Sequence, residues 1–181
     1  MKPLLLAALL VLALPHAGFA QTLCMPGETD HFSCPVGGGK KILSICSNIK
    51  DDAIDEGSWL QYRFGTIDKI ELAFPKAKKG SIARFEGNVF NPREQPNETA
   101  DLRFMHGKTS YSVGVSRISP GDGRKTTVFA GGVDVEQGKG RPVSIQCDKV
   151  DSERYYEGFL RLNHALLGPR QRGQAPGTEG P

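Results

Sequence analysis

The sequence predicts an all-β fold: an antiparallel meander that forms a sandwich or a small barrel, stapled by disulfides and followed by a short C-terminal helix. Three observations lead to this prediction. Apolar residues recur at every second position in several short runs, which is the period of a β-strand. Glycine-rich breaks separate the runs, as they do in hairpins. Four cysteines follow an apolar leader, which is typical of an exported, disulfide-bonded domain.

Residues 1–20 have the pattern of a signal peptide. Lys2 supplies a positive start, residues 4–14 are apolar, and Ala20 is a small residue suited to cleavage. The apolar run is shorter than the roughly 20 residues that a membrane span needs. We therefore expect a periplasmic or secreted protein without a membrane span.

Residues 21–168 have the length of one β domain. Residues 169–181 are mostly glycine, proline and polar residues, a composition that predicts a disordered C-terminal tail. The formal net charge of the chain is only +3. This balance argues against a dedicated nucleic-acid binder, which concentrates Lys and Arg on one face.

The alternating runs define the expected strands and their buried faces. Because short turns join consecutive runs, neighbouring strands should be antiparallel. The residues expected to face the core are Phe32, Cys34, Val36, Leu60, Tyr62, Phe64, Ile70, Leu72, Phe74, Leu102, Phe104, Tyr111, Val113, Val115, Val133, Val135, Val143, Ile145 and Cys147.

The last part of the domain has a helical period instead. Within residues 152–167, apolar side chains recur about once per helical turn at Tyr155, Phe159, Leu162 and Leu166. A Gly-Pro pair follows at residues 168 and 169 and is a stop signal. We expect one helix there that flanks or plugs the sheets.

The opposite parity of the strands gives a candidate ligand surface. Trp59, Gln61 and Arg63 alternate with the apolar residues of one strand, and Arg103 has the polar parity of a later one. This parity predicts a solvated sheet face with weak charge pairs. The functional alternative is a ligand face in which these four residues take part.

The cysteines indicate disulfides rather than a metal site. Cys24, Cys34, Cys46 and Cys147 form an even set in a chain predicted to be exported. Two pairings remain open: Cys24 with Cys34 and Cys46 with Cys147, or Cys24 with Cys46 and Cys34 with Cys147. The spacing contains no C-x-x-C knuckle that would predict zinc.

Catalytic and cofactor signatures are missing from the sequence. It contains no G-x-S-x-G, H-E-x-x-H, EF-hand loop or complete phosphate-binding loop, and it predicts no cofactor or metal. A small hydrolase with a site assembled only by the fold remains an alternative. Its candidate residues are His31, His106, Asp51, Asp52, Asp55 and Glu56.

Three motifs carry a family resemblance: an S-x-C strand ending at Cys46, a Y-R-F-G hairpin beginning at Tyr62, and an E-L-x-x-P strand beginning at Glu71. In these motifs the chain resembles a group of small secreted proteobacterial proteins of unassigned function. The resemblance covers roughly residues 30–117 and implies export and a β fold, but no site. Periplasmic lysozyme inhibitors are similar in size, export and disulfide-pinned β form, although their Ser-Gly-x-x-Tyr type loop is missing here.

The expected function is therefore an exported, non-enzymatic β-domain protein that binds an unknown protein or envelope glycan. We expect a monomer that binds no nucleic acid. The two alternatives are a lysozyme-inhibitor-like protein and the small hydrolase described above.

Overall fold

The computed structural model describes residues 22–90, 97–119, 126–138, 140–150 and 152–171. The predicted signal peptide at 1–20 and residues 172–181 of the predicted tail lie outside this part of the chain. Within the described residues, no helix is long and apolar enough to cross a membrane.

Nine strands, a short 3-10 helix at Ile82–Arg84 and one α-helix make up the described fold. The strands are β1 (Thr29–Val36), β2 (Lys41–Ser47), β3 (Leu60–Thr66), β4 (Lys69–Phe74), β5 (Glu86–Phe90), β6 (Asn97–His106), β7 (Thr109–Ile118), β8 (Val128–Gln137) and β9 (Val143–Gln146), and the helix is α1 (Ser152–Gln171). Strands β1 to β4 form one sheet and β5 to β9 the second, each in sequence order. All neighbouring strands are antiparallel, so the predicted all-β meander is confirmed and takes the form of a sandwich.

The core lies between the inner faces of the two sheets. Phe74 of the first sheet stacks on Phe104 of the second, with ring centroids 4.7 Å apart. Phe104 also stacks on Tyr111 at 4.9 Å, and Tyr62 packs against both rings. Offset aromatic pairs of this kind stabilise a core beyond the burial of their area. The alternation in the sequence therefore identified the buried faces correctly, except at Val143 at the start of β9, which is 63% exposed.

Helix α1 closes the side of the sandwich between β1 and β5. It buries Tyr155, Tyr156, Phe159 and Leu162 and contacts both of these strands. Its Asn163 side chain accepts a hydrogen bond from the backbone N–H of β5 at 3.3 Å, which covers part of an otherwise unpaired strand edge.

The helix is longer than the sequence predicted. It continues to Gln171, so the predicted helix stop at residue 168 is wrong, while the disorder of the C-terminal tail stays a prediction. Packing against the core extends as far as Leu166, and only the last turn runs beyond it. A proline near the end of a helix removes a single backbone hydrogen bond, which the packed turns before it can tolerate.

The structure decides between the two disulfide pairings. Cys24 bonds to Cys46 and Cys34 to Cys147. Residues 34 and 46 face opposite sides of the first sheet: Cys34 is part of the core, whereas Cys46 faces the N-terminal residues. Both bridges are formed and no described cysteine is free, which indicates an oxidising location outside the cytoplasm.

Candidate functional site

The outer face of the first sheet is covered by the protein's own N-terminal residues. We call residues 22–28 the N-terminal strap. Beneath it Gln61 and Arg63 of β3 are only 6% and 3% exposed. The prediction that these two side chains lie on a solvated face is therefore wrong. Leu23 of the strap is itself buried, and the Cys24–Cys46 bridge ties the strap to β2.

A buried ion pair fixes the strap. Arg63 donates from Nη1 and Nη2 to the Glu28 carboxylate at 2.6 and 3.0 Å. Nη1 also donates to the carbonyl oxygen of Leu23, and Nε donates to Gln61 Oε1. All of these bonds lie within the protein, so the guanidinium is satisfied and is not available to a ligand.

Glu28 remains ionised in this setting. Burial raises the pKa of its carboxyl, but hydrogen bonds from Arg63, the Met25 backbone and Lys78 outweigh burial and lower the pKa to about 2. The Glu28 carboxylate and the sulfurs of Cys24 and Cys46 lie within 4.8 Å of one another. The disulfide and the ion pairs already occupy these groups, so the cluster is a structural anchor.

The other two residues of the predicted ligand face lie elsewhere. Trp59 precedes β3 and is half-buried, with the Lys78 ammonium 3.9 Å from the centre of its ring. Arg103 is exposed on β6 of the second sheet. The four residues therefore do not form one surface, and Arg103 alone among them lies on an open sheet face.

The hydrolase candidates come together only in part. His31 is 5% exposed, and its Nε2 lies 2.7 Å from Ser47 Oγ. Asp51 and Asp52 line a cavity of about 570 Å³ that His31 also lines. Arg161 of α1 reaches Asp52 across the cavity, with 3.3 Å between Nε and the carboxylate.

The hydroxyls near His31 are engaged within the fold, since Thr29, which lines the cavity, donates its hydroxyl to the Ile49 carbonyl oxygen at 2.7 Å. Ser47 is fully buried, and its Oγ also accepts the Ile49 backbone N–H at 2.9 Å. Burial lowers the pKa of His31 to about 4, although the Asp52 carboxylate opposes the shift. A neutral histidine hydrogen-bonded to a buried serine joins β1 to β2, which is a structural role; a general base has to reach a substrate proton.

The remaining hydrolase candidates lie outside this cavity. The Asp55 carboxylate accepts hydrogen bonds from the Gly57 backbone and the Ser58 hydroxyl within its own loop. Glu56 is exposed in that loop, and His106 packs beside Phe74 with ring centroids 5.4 Å apart. The fold does not gather the six candidates into one site.

The outer face of the second sheet is different because it presents an open groove. We call this surface the sheet-two face. Its members on alternate positions of β5 to β9 are Glu86, Asn88, Phe90, Asn97, Thr99, Asp101, Arg103, Met105, Ser110, Ser112, Gly114, Ser116, Ile118, Val128, Ala130, Gly132, Asp134, Glu136, Ser144 and Gln146. A groove of about 340 Å³ runs along its middle, and the described residues that line it all belong to β6 to β9.

Two glycines form the floor of the groove, for different reasons. A Cβ at Gly132 would lie 2.4 Å from the carbonyl oxygen of Ile145, so packing against β9 requires glycine there. A Cβ at Gly114 would meet nothing closer than the Ala100 carbonyl oxygen at 3.8 Å. Glycine inside a strand costs about 0.5–1 kcal/mol relative to alanine, and packing within the fold gives no reason for Gly114.

The groove walls are polar. On one side, Asp101 accepts a hydrogen bond from Asn88 at 3.0 Å. Its other oxygen lies 2.8 Å from Arg103 Nε at an angle unsuited to a hydrogen bond, so that contact is purely electrostatic. Asp134 and Gln146 line the groove from β8 and β9, and both are exposed.

The sheet-two face is acidic. Its ionisable members are Glu86, Asp101, Arg103, Asp134 and Glu136, and Arg103 is paired with Asp101. Three exposed carboxylates are left beyond this pair. The face therefore differs in sign from the chain as a whole, which carries a formal charge of +3.

Apart from Arg103, the sequence analysis missed this surface. The signal was present in β7, where the residues that alternate with Tyr111 and the two valines are Ser110, Ser112, Gly114 and Ser116. A strand with a wholly small outward face leaves space above the sheet. That pattern could have identified the groove floor but not its walls, which come from three other strands.

No protein-family model, curated protein or solved structure matches this chain. The resemblance to small secreted proteobacterial proteins therefore stays a prediction.

Proposed function

We propose that this protein is an exported, non-enzymatic binding module that acts in the periplasm or after secretion and binds its ligand on the sheet-two face. The leader pattern and the two disulfides support export. The groove between Asp101 and Asp134 supports binding because it combines an open floor with hydrogen-bonding walls.

Gly114 is the observation that carries the proposal. It occupies the centre of a ten-residue strand, and the fold itself would accommodate a side chain there. A glycine within a strand often marks a place where a ligand or another backbone approaches closely. Destabilising residues of this kind persist where function requires them.

The outer face of β3 and the cavity beside His31 are less suited to binding a ligand than the sheet-two face. The strap occupies the outer face of β3 and uses the hydrogen bonds of Arg63. Beside the His31 cavity, the Ser47 hydroxyl is buried out of reach of a substrate, and the Thr29 hydroxyl donates to the Ile49 carbonyl oxygen. A binding function on the sheet-two face is therefore better supported than hydrolysis at either place.

A groove-filling variant tests the proposal. Gly114→Trp should fill the groove, because a Cβ at residue 114 makes only an ordinary contact with the sheet and the groove lies above it. Lys69→Trp is the matched control, since Lys69 is exposed on β4 of the other sheet. Immobilised wild-type and variant proteins are exposed to an extract of the exported fraction of the source cells, and retained proteins, glycans and lipids are quantified.

We expect the wild type and Lys69→Trp to retain the same component and Gly114→Trp to lose at least nine-tenths of it. Circular dichroism and thermal melting of all three proteins verify that the folds are equivalent. Retention of nothing by the wild type, or equal retention by the two tryptophan variants, would contradict the proposal.

A further inference from the structure

We infer that the partner at the sheet-two face is a basic protein, an inference that rests on the proposed function of the same face. Beyond the Asp101–Arg103 pair, the face carries three exposed carboxylates, those of Glu86, Asp134 and Glu136. Complementary charge speeds the encounter of two proteins and suppresses wrong partners. The sign of this surface therefore selects a positively charged partner.

The groove gives the inference a specific contact. Its volume of about 340 Å³ accommodates one lysine or arginine side chain that lies over Gly114. Asp134 lines the groove and has no ion pair among the described residues. Because Arg103 is already neutralised by Asp101, Asp134 is the charge that the groove offers to the entering cation.

The size and composition of the face fit a protein rather than a small cation. Strands spaced about 4.8 Å apart with a rise of about 3.4 Å per residue give the outer side of β5 to β9 an area of about 600 Å². That is the share of each partner at the lower limit of specific protein interfaces. The face also exposes Phe90 and Val128, which are 59% and 44% exposed, and aromatic residues are enriched at protein interfaces.

The test compares two double variants that remove the same charge from different places. Asp134→Asn with Glu136→Gln neutralises two carboxylates of the sheet-two face. Glu56→Gln with Asp68→Asn neutralises two exposed carboxylates outside it. The probes are a ten-residue lysine peptide, cytochrome c and a C-type lysozyme, with a neutral chito-oligosaccharide as the comparison, and binding is measured by calorimetry from 20 to 300 mM salt.

We expect at least one basic probe to bind the wild type at low salt, with affinity that falls as salt increases. The Asp134/Glu136 variant should bind it at least tenfold more weakly, and the Glu56/Asp68 variant should bind like the wild type. Equal weakening in both variants, or no binding of any basic probe at 20 mM salt, overturns the inference.

The two proposals can fail separately. If only the neutral oligosaccharide binds, and Gly114→Trp abolishes that binding, the basic partner is wrong while the binding face stands. If Gly114→Trp affects no retained component, the binding face itself is wrong, whatever the charge variants show.

Discussion

Two buried ionisable side chains, His31 and Glu28, connect the fold to pH. His31 is held neutral because burial lowers the pKa of its imidazole to about 4. Glu28 is held ionised because hydrogen bonds from Arg63, the Met25 backbone and Lys78 outweigh burial and lower its pKa to about 2. Each group binds a proton less readily in the folded protein than in the unfolded chain, so acid destabilises the fold.

The free energy of unfolding should fall as pH is lowered from about 6.5 to 4. In this range unfolded chains bind a proton at His31 and the folded protein does not, so acid favours unfolding. The change corresponds to about 3 kcal/mol for a shift of this size. Urea unfolding across pH 4 to 7 measures it.

His31→Gln is the control, because glutamine can keep hydrogen bonds to Ser47 without titrating. The variant should lose the dependence between pH 6.5 and 4. A second decline of the free energy of unfolding should remain below pH 4.5, because the unfolded chain then binds a proton at Glu28 and the folded protein does not. An unchanged profile above pH 4.5 in the variant would refute the role of His31.

At the scale of elements, the N-terminal strap and helix α1 each cover one side of the sandwich. The N-terminal strap covers the outer face of β3 through the Glu28–Arg63 pair. Helix α1 covers the side between β1 and β5 through residues such as Phe159. The described residues that line the groove of the sheet-two face all belong to strands. Neither the strap nor the helix covers it.

The strands were predictable because alternation reports directly which side chains face a core. Tyr62 and Phe104 were assigned to the interior by parity alone, and both pack there. Parity could not show what covers the other side of a strand. Arg63 has the parity of an outward residue, yet it is buried by a partner 35 positions earlier in the chain.

The candidate site was less predictable because it is assembled across strands. Its walls contain Asp101 from β6, Asp134 from β8 and Gln146 from β9. Asp134 lies 33 positions after Asp101 and 12 positions before Gln146, and only strand register brings the three residues to one groove. Gly114 resembles any strand glycine in the sequence. Its significance appears only when the space above it is known.

For the whole molecule, the two disulfides connect different parts of the fold. Cys24–Cys46 closes a sequence separation of 22 residues and fixes the strap. Cys34–Cys147 closes a separation of 113 residues and joins the two sheets. Close to the second bridge, the Asp148 carboxylate accepts hydrogen bonds from the backbone of Gly38 and Gly39, so several contacts hold the sheets at this point.

Removing the long bridge should cost more stability than removing the short one. In the chain-entropy account the loops correspond to about 5 and about 3 kcal/mol. Cys34→Ser with Cys147→Ser should therefore unfold at lower urea than Cys24→Ser with Cys46→Ser. Equal midpoints, or the reverse order, would show that fixing the strap contributes at least as much as joining the sheets.

Mapping the bound surface by nuclear magnetic resonance tests the proposed binding face most directly. Isotopically labelled protein is titrated with the component that the wild type retains from the exported extract, and backbone amide shifts are followed. The account predicts changes centred on Gly114, Gly132 and Asp134 across β6 to β8. Changes confined to the strap and β1 to β4, or to the cavity beside His31, would contradict it.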